Sequence, residues 1–589
     1  MEQSYTQYLF FTGKGGVGKT SLACATAVRL ADQGKKVLLI STDPASNLED
    51  VLQTPVGEQI QVHQKLPTLF TINISPDVSA NEYRERVIQP MMGMATESEI
   101  KKVKEGLSGA CTTEIASFDE FSRFVTGEGT EGSYDMVIFD TAPTGHTIRL
   151  LELPSAWDDF LENNPGGASC IGPSSALKSS KERYKKVIQS LRDPQLTTFY
   201  LVSRPEKSSL KEAAKTSVEL RDLGFENQKL FINGVFKALD QTDSVAHRIE
   251  FLADKQLHEI PLALQHLPLQ TYPLLPYNVL GLRKLRSMLD QVLQSQIVAE
   301  EMASSPHNLY HLDSIRDLVD SLEEHGRTSG LIMTMGKGGV GKTIAAATIA
   351  CLLANRGHRV LLTTTDPAAH INDFLSQLDR IPDNLQVERI DPKVETQSYI
   401  QKIMLQKGVN LDENAKNLLL EDLQSPCTEE VAVFHAFSKA IHSASRQFVV
   451  MDTAPTGHTL LLLDTTGSYH KEVLKHSSLS ATKIRTPYMA LQDKEFAKIV
   501  LVALPETTPM REAADLQEDL RRAGIEPYAW LINQCLSALP QLKDPILKKR
   551  ASAEGAIIEQ IQTKLAHRTF GIPYLTEELV FPELLSMNY

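Results

Sequence analysis

GKGGVGKT at residues 13–20 follows the apolar run YLFFT (8–12) and leads into SLACATAVRLADQG (21–34), whose small and apolar residues recur at helical spacing before a terminal glycine. A glycine-rich turn between a strand and a helix is the setting a phosphate-binding loop requires. The glycines let backbone N–H groups converge on an anion, and the helix N-terminus adds favourable partial charge. The same eight residues return at 336–343, after GLIMTM (330–335) and before IAAATIACLLANRG (344–357).

Other segments recur in the same order. TDPAS (42–46) returns as TDPAA (365–369), DTAPTGHT (140–147) as DTAPTGHT (452–459), and CTTEIASFDEF (111–121) as CTEEVAVFHAF (427–437). Each half alternates β-rich runs with helix-period stretches. The runs are YLFFT, VLLIST, LFTINI, DMVIFDT, TTFYLVS and KLFINGV in the first half, and GLIMTM, RVLLTTT, QVERI, FVVMDT, KIVLVAL and AWLIN in the second. Near-continuous apolar strands separated by helices predict a parallel sheet covered on both faces. The expected architecture is therefore α/β: two homologous phosphate-loop domains, each a parallel sheet flanked by helices, fused as a pseudo-dimer. Polar text bearing Ser, Pro and Gly places the boundary, giving 1–296 as the first half, 297–328 as a linker and 329–589 as the second.

Composition excludes several classes. The net charge of −13 argues against non-specific nucleic-acid binding, which needs a basic surface. The longest apolar runs are strand-length, well short of a membrane span, and the N-terminus lacks the pattern of a signal peptide. A cytoplasmic protein is expected, with any membrane association supplied by a partner. Six cysteines in 589 residues are too few for a disulfide scaffold, and none forms a CxxC pair.

The candidate nucleotide sites are Gly13, Lys14, Gly15, Gly16, Val17, Gly18, Lys19, Thr20 and Ser21 in one half, and Gly336, Lys337, Gly338, Gly339, Val340, Gly341, Lys342, Thr343 and Ile344 in the other. Lys19 and Lys342 are expected to reach the β- and γ-phosphates of ATP, and Thr20 and Thr343 to ligate Mg²⁺. Asp140 and Asp452 end apolar strands, as an aspartate that holds Mg²⁺ does. Asp43 and Asp366 end the second strand of each half and are candidates for orienting the attacking water near the ion. Asn233 and Asn533 follow equivalent strands and are candidate adenine contacts. The early lysines, Lys14 and Lys337, make each loop resemble the deviant phosphate loop, KGGxGK[ST], of SIMIBI-class proteins. That resemblance implies a lysine that crosses to the partner's nucleotide, with two ATP molecules held between the halves.

Cys111 and Cys427 occupy matching places at the start of helix-period runs. Ser425 reads as an N-cap and Pro426 as the first helical residue, which puts Cys427 in the first turn. A thiol there ionises more readily, and thiolate is the form that binds soft ions. Cys170, in LENNPGGASCIGPSS (161–175), has no counterpart in the second half. Three thiolates suit trigonal As(III) or Sb(III), whereas zinc would want a fourth ligand. A buried, inert role for the three remains the alternative on residue chemistry alone. Cys24, Cys351 and Cys535 read as small core residues. His146 and His458, in the DTAPTGHT segments, are candidates for soft-metal ligands, for hydrogen-bonding switch residues, or for both.

Taken together, these residues resemble the ArsA family, the catalytic ATPase subunits of bacterial arsenite efflux pumps. The resemblance spans nearly the whole chain and is most specific in SGACTTEI, NPGGASCIGP and SPCTEEVAVF. It implies that Cys111, Cys170 and Cys427 bind arsenite or antimonite and thereby stimulate ATP hydrolysis, with Ser425, His146 and His458 as auxiliary ligands. It also implies a membrane carrier of the ArsB type, a small metallochaperone of the ArsD type, and peripheral association with the inner face of the membrane. Two other readings share parts of the pattern. A targeting ATPase for tail-anchored membrane proteins would want a CxxC zinc clasp and a Met-rich groove, and MMGM (91–94) is the one Met cluster. A ParA/MinD-like ATP switch would want a basic face or an amphipathic tail, and the C-terminus LTEELVFPELLSMNY is acidic and broken by proline.

Overall fold

A computed structural model describes residues 5–42, 48–89, 92, 110–126, 134–141, 174–303, 312–365, 371–378, 380–407, 416, 419–420, 423, 426–453, 487–539, 542–575 and 585. The chain divides into two compact units, residues 1–305 with 544–546, and residues 306–543 with 547–589.

The first unit is built on an eight-stranded sheet in the order β3-β4-β2-β5-β1-β6-β7-β8. Its strands are β1 (Tyr8–Thr12), β2 (Val37–Ser41), β3 (Gln61–His63), β4 (Leu66–Asn73), β5 (Met136–Asp140), β6 (Thr197–Ser203), β7 (Gln228–Val235) and β8 (Leu269–Pro273). All neighbours are parallel except β3, which runs antiparallel to β4 at the edge. The second unit repeats the plan in the order β12-β11-β13-β10-β14-β15-β16-β9. Here the strands are β9 (Asp313–Ser314), β10 (Gly330–Met335), β11 (Val360–Thr364), β12 (Leu385–Arg389), β13 (Phe448–Asp452), β14 (Ala497–Ala503), β15 (Ala529–Cys535) and β16 (Thr569–Pro573). All of its pairings are parallel.

The reason is visible in β1, where every residue is buried. Leu9 and Phe11 point to the face covered by the phosphate-loop helix, Lys19–Asp32, while Tyr8 and Phe10 point to the other. Successive side chains of a strand alternate in this way, so a strand with both faces covered must be apolar throughout. Phe10 stacks on Phe139 at 4.4 Å and on Phe199 at 4.9 Å between ring centroids. Each fully buried side chain of this size contributes about 1.5–3 kcal/mol. The second unit fills the matching layer with Leu331, Met333 and Met335 instead of aromatic rings.

In each sheet the chain leaves the central strand in one direction and later returns to build outward in the other. The crevice this leaves at the C-terminal ends of β1 and β5, or of β10 and β13, is where open α/β sheets bind ligands. The short edge strands β3, β8 and β9, and β16 beside β9, are absent from the sequence reading. β8, with only Tyr272 buried, and the two-residue β9 carry too little apolar pattern to stand out. The helix Ile315–Leu322 lies inside the stretch read as a linker, and it packs Ile315, Leu318, Val319 and Leu322 into the core of the second unit. Among the described residues, no helix is long and apolar enough to cross a membrane.

Candidate nucleotide sites

The two phosphate loops turn at matching glycines with closely similar φ angles. Gly13, Gly16 and Gly18 have φ of +154°, +80° and +91°, and Gly336, Gly339 and Gly341 have +150°, +86° and +95°. A Cβ on Gly13 would overlap the Val202 carbonyl oxygen at the end of β6, and one on Gly336 would overlap that of Val502. Close approach to the neighbouring strand, not only the turn, therefore demands glycine. Gly336→Ala is expected to lower the ATP affinity of the second half by at least about tenfold, or ~1.4 kcal/mol. A fluorescent-nucleotide titration of that variant checks it, and an unchanged affinity would refute the close-approach argument.

Gly18 and Gly341 sit at the N-cap of their helices, and no side chain caps either terminus. The first-turn N–H groups are left for an anion. The buried Lys19 donates from Nζ to the Lys14 carbonyl at 3.2 Å, and Lys342 donates to the Lys337 carbonyl at 2.8 Å. Each ammonium thus lies across its own loop.

The sequence-predicted threonine and aspartate come together in both units. Thr20 Oγ1 donates to Asp140 Oδ2 at 2.7 Å, and Thr343 Oγ1 donates to Asp452 Oδ2 at 2.8 Å. Both carboxylates are buried. A hydroxyl and a carboxylate, hard oxygen donors side by side at the mouth of a phosphate loop, fit Mg²⁺. The residue after each aspartate is anchored as well, with Thr141 Oγ1 donating to the Phe11 carbonyl at 2.9 Å and Thr453 Oγ1 to that of Thr334 at 2.8 Å. Thr42 N and Thr365 N donate to the Asp140 and Asp452 carbonyls, each at 3.0 Å, which ties the end of the second strand to the same edge.

Asn233 and Asn533 have a task that the sequence reading did not foresee. Their Nδ2 atoms donate to the Val17 and Val340 carbonyls, each at 2.9 Å, and they lie so close to Gly18 and Gly341 that a Cβ there would displace the amide. Asn533 is buried, and its Oδ1 also accepts from the Gln534 N–H at 2.9 Å. In the structure these asparagines brace the phosphate loops from β7 and β15.

Asp43, Asp366, His146, His458, Cys170 and Ser425 lie outside the described residues. Cys111 and Cys427 are each the second residue of a helix, Ala110–Thr126 and Pro426–Ser443, and these helices are described there by backbone. Among the described residues, no three His, Cys, Asp or Glu side chains gather as a metal site. Cys24, Cys351 and Cys535 are buried. Burial pushes the Cys351 thiol up to about 12 and raises Cys24 and Cys535 well above the ordinary range, with Asp140 and Glu554 adding to the effect. Thiols held protonated in this way are poor ligands, as expected of core residues.

A further polar cluster escaped the sequence reading. Asp119, buried on the helix that begins with Ala110 and Cys111, pairs with Arg86 at 3.0 Å, with Arg183, and with the Tyr184 hydroxyl at 3.0 Å. It joins the helices Pro76–Ile88, Ala110–Thr126 and Ser174–Arg192. The matching residue of the second half is His435. Its ring stacks on Tyr399 at 5.4 Å, and burial with the nearby Lys402 holds its pKa below the usual range. An aspartate amid phenylalanines in SFDEF was the available signal, but its partners lie dozens of residues away.

Fold and site together define a nucleoside-triphosphatase of the phosphate-loop class, built twice in one chain. The profile of the anion-transporting ATPase family matches residues 6–294, 329–485 and 462–587, and the chain belongs to this ArsA-type family. It is 48% identical to the arsenical pump-driving ATPase of Escherichia coli over 578 residues, covering 98% of this chain and 97% of that protein. The arsenical pump-driving ATPase of Acidiphilium multivorum is 48% identical over 580 residues, with 98% and 97% covered. The putative arsenical pump-driving ATPase of Halobacterium salinarum is 35% identical over 617 residues, covering 98% of this chain and 92% of that protein.

Proposed function

We propose that this chain hydrolyses ATP in response to As(III) or Sb(III) and that the hydrolysis energises arsenite efflux through a membrane carrier. The observation that carries the reading is the pair of complete Thr–Asp phosphate-loop sites. They lie in a chain aligned almost end to end with pump-driving ATPases.

In this reading the phosphates lie on the uncapped helix N-termini, with Lys19 and Lys342 turning from the loop carbonyls to the β- and γ-oxygens. Mg²⁺, when bound at Thr20 and Asp140 or at Thr343 and Asp452, neutralises charge on the phosphate oxygens. Asp43 and Asp366 orient the attacking water. Cys111 and Cys427, in the first turns of their helices, and Cys170 supply thiolates to the metalloid. Ser425, His146 and His458 are auxiliary ligands or links between the metalloid and the phosphates. Metalloid binding shifts the protein toward its hydrolysing state only in so far as it binds that state more tightly. A carrier of the ArsB type and a chaperone of the ArsD type are the partners this reading calls for, with the chain held at the inner membrane face through the carrier.

The test is steady-state ATP hydrolysis by the purified chain at fixed Mg²⁺, with and without arsenite. A saturable, several-fold stimulation is expected. A rate indifferent to arsenite and antimonite would remove the metalloid from the account and leave an ATPase of other purpose.

A further inference from the structure

The helix that opens with Ala110 and Cys111 is tied to two others through Asp119, whose side chain is 3% exposed. The two carboxylate oxygens turn to different neighbours. Oδ2 pairs with Arg86 Nη1 at 3.0 Å, on the helix Pro76–Ile88. Oδ1 pairs with Arg183 and accepts the Tyr184 hydroxyl at 3.0 Å, both on the helix Ser174–Arg192. Tyr83 is buried beside the same group, and burial with the Asp119 charge pushes its hydroxyl up to about 12. Two of these helices lead back along the chain to the thiols of the first half. Cys111 is the second residue of one, and Cys170 stands four positions before Ser174, the first residue of another.

The second half keeps the frame and loses the negative charge. PKVETQSYIQK (392–402) and CTEEVAVFHAF (427–437) match PDVSANEYRER (76–86) and CTTEIASFDEF (111–121). Tyr399, Lys402 and His435 therefore stand where Tyr83, Arg86 and Asp119 do. His435 stacks on Tyr399 at 5.4 Å, and burial with the Lys402 charge holds its pKa below the usual range. A neutral imidazole offers a cation none of the charge-assisted bonding that a carboxylate offers a guanidinium. Buried ion pairs contribute little net stability compared with a well-packed apolar replacement. What the hub around Asp119 can supply is one fixed arrangement of its helices.

We propose that Asp119 is a positioning residue for metalloid capture in the first half. It fixes the helix of Cys111 against its two neighbours before the metalloid arrives, so that less ordering is left for the binding step. Asp119 lies about 12 Å from Cys111 along the helix axis and acts through the helix, not by ligation. The helix of Cys427 carries His435 at the matching place and has no such charge lock among the described residues. The two symmetric thiols are therefore prepared unequally. The proposal rests on the metalloid reading given above and deepens it.

The test titrates the full chain with arsenite, calorimetrically without nucleotide and again by its stimulation of ATP hydrolysis. Asp119→Asn keeps the shape and removes the charge. It is expected to raise the arsenite Kd and the half-maximal concentration about tenfold, with basal kcat/KM for ATP within about twofold of the unsubstituted chain. His435→Asn, at the matching place, is expected to stay within about twofold on every measure. Leu285→Ala truncates a fully buried side chain in the core on the other face of the sheet. It is expected to lower Tm and leave the arsenite Kd unchanged, which separates positioning from a general loss of stability. Arg86→Gln removes the more exposed partner, is expected to raise the Kd about threefold, and decides the matter if the asparagine variant does not fold. An unshifted Kd in the folded Asp119 and Arg86 variants would overturn the proposal, as would an equal shift in Leu285→Ala. An unsubstituted chain that binds no arsenite would overturn this proposal and the metalloid reading together. One that binds it while Asp119→Asn binds equally well would overturn this proposal alone.

Discussion

A chain carrying Asp140→Asn and Asp452→Asn together is expected to lose ATP turnover by roughly 10³-fold, about 4 kcal/mol in the barrier. Each aspartate ends a central strand, is buried, and accepts a threonine hydroxyl at 2.7 or 2.8 Å. Asparagine keeps the shape and can still accept that hydroxyl. What it removes is the negative charge that, beside the threonine oxygen, makes a site for a hard divalent cation. Burying a charge is costly, so its removal should not unfold the sheet. The expected result is a folded protein with an unchanged or higher Tm that scarcely releases phosphate. Thermal denaturation and a phosphate-release assay check both halves of the statement. Turnover within threefold of the unsubstituted chain would mean that these carboxylates do not serve the reaction. The single exchanges, read separately, would show how the two halves share the turnover.

The second large effect is expected from Cys111→Ser and Cys427→Ser. Each should raise the arsenite concentration for half-maximal stimulation by about 10²-fold or more, because a serine hydroxyl is a hard, un-ionised oxygen where a soft ion wants thiolate. Basal hydrolysis and KM for ATP should stay within about twofold, since neither thiol belongs to a phosphate loop or to the Thr–Asp pairs beside it. The placement of each cysteine second in its helix supports the reading, because the helix N-terminus favours thiolate. Cys351→Ala serves as the control. That thiol is buried in the core and pushed up to about 12, so its loss should lower stability modestly and leave the arsenite response intact. Stimulation curves for the three variants settle the point. A Cys427→Ser chain with an unshifted curve would take that thiol out of the metalloid site.

The elements legible in the sequence are those specified by neighbours along the chain. Central strands such as YLFFT and FVVMD are apolar up to their last residue because both faces are covered, and they stood out. β3, β8 and β9 did not, because an edge strand is held by backbone pairing to its neighbour more than by its own side chains. The thiol helices were placed to the residue at Pro426 because proline and serine mark a helix start locally. Asn233 was read as a contact to the base, and only the structure shows that its amide also reaches the carbonyl of Val17, 216 residues earlier.

From the sequence alone came the duplication, the two phosphate loops, the strand-end aspartates and the distinction between core cysteines and candidate ligands. All of these follow from local rules: glycine for backbone that other residues avoid, unbroken apolar runs for doubly covered strands, first-turn position for reactive thiols. Tertiary structure alone decided which groups meet. It set Thr343 against Asp452, 109 residues away, Arg183 against Asp119, and Lys337 against Glu512, 175 residues away. Such pairs depend on how helices and strands stack in space, and no spacing along the chain encodes that stacking. Two loops with the same eight residues therefore acquire different neighbours, Ser208 beside Lys14 and Glu512 beside Lys337.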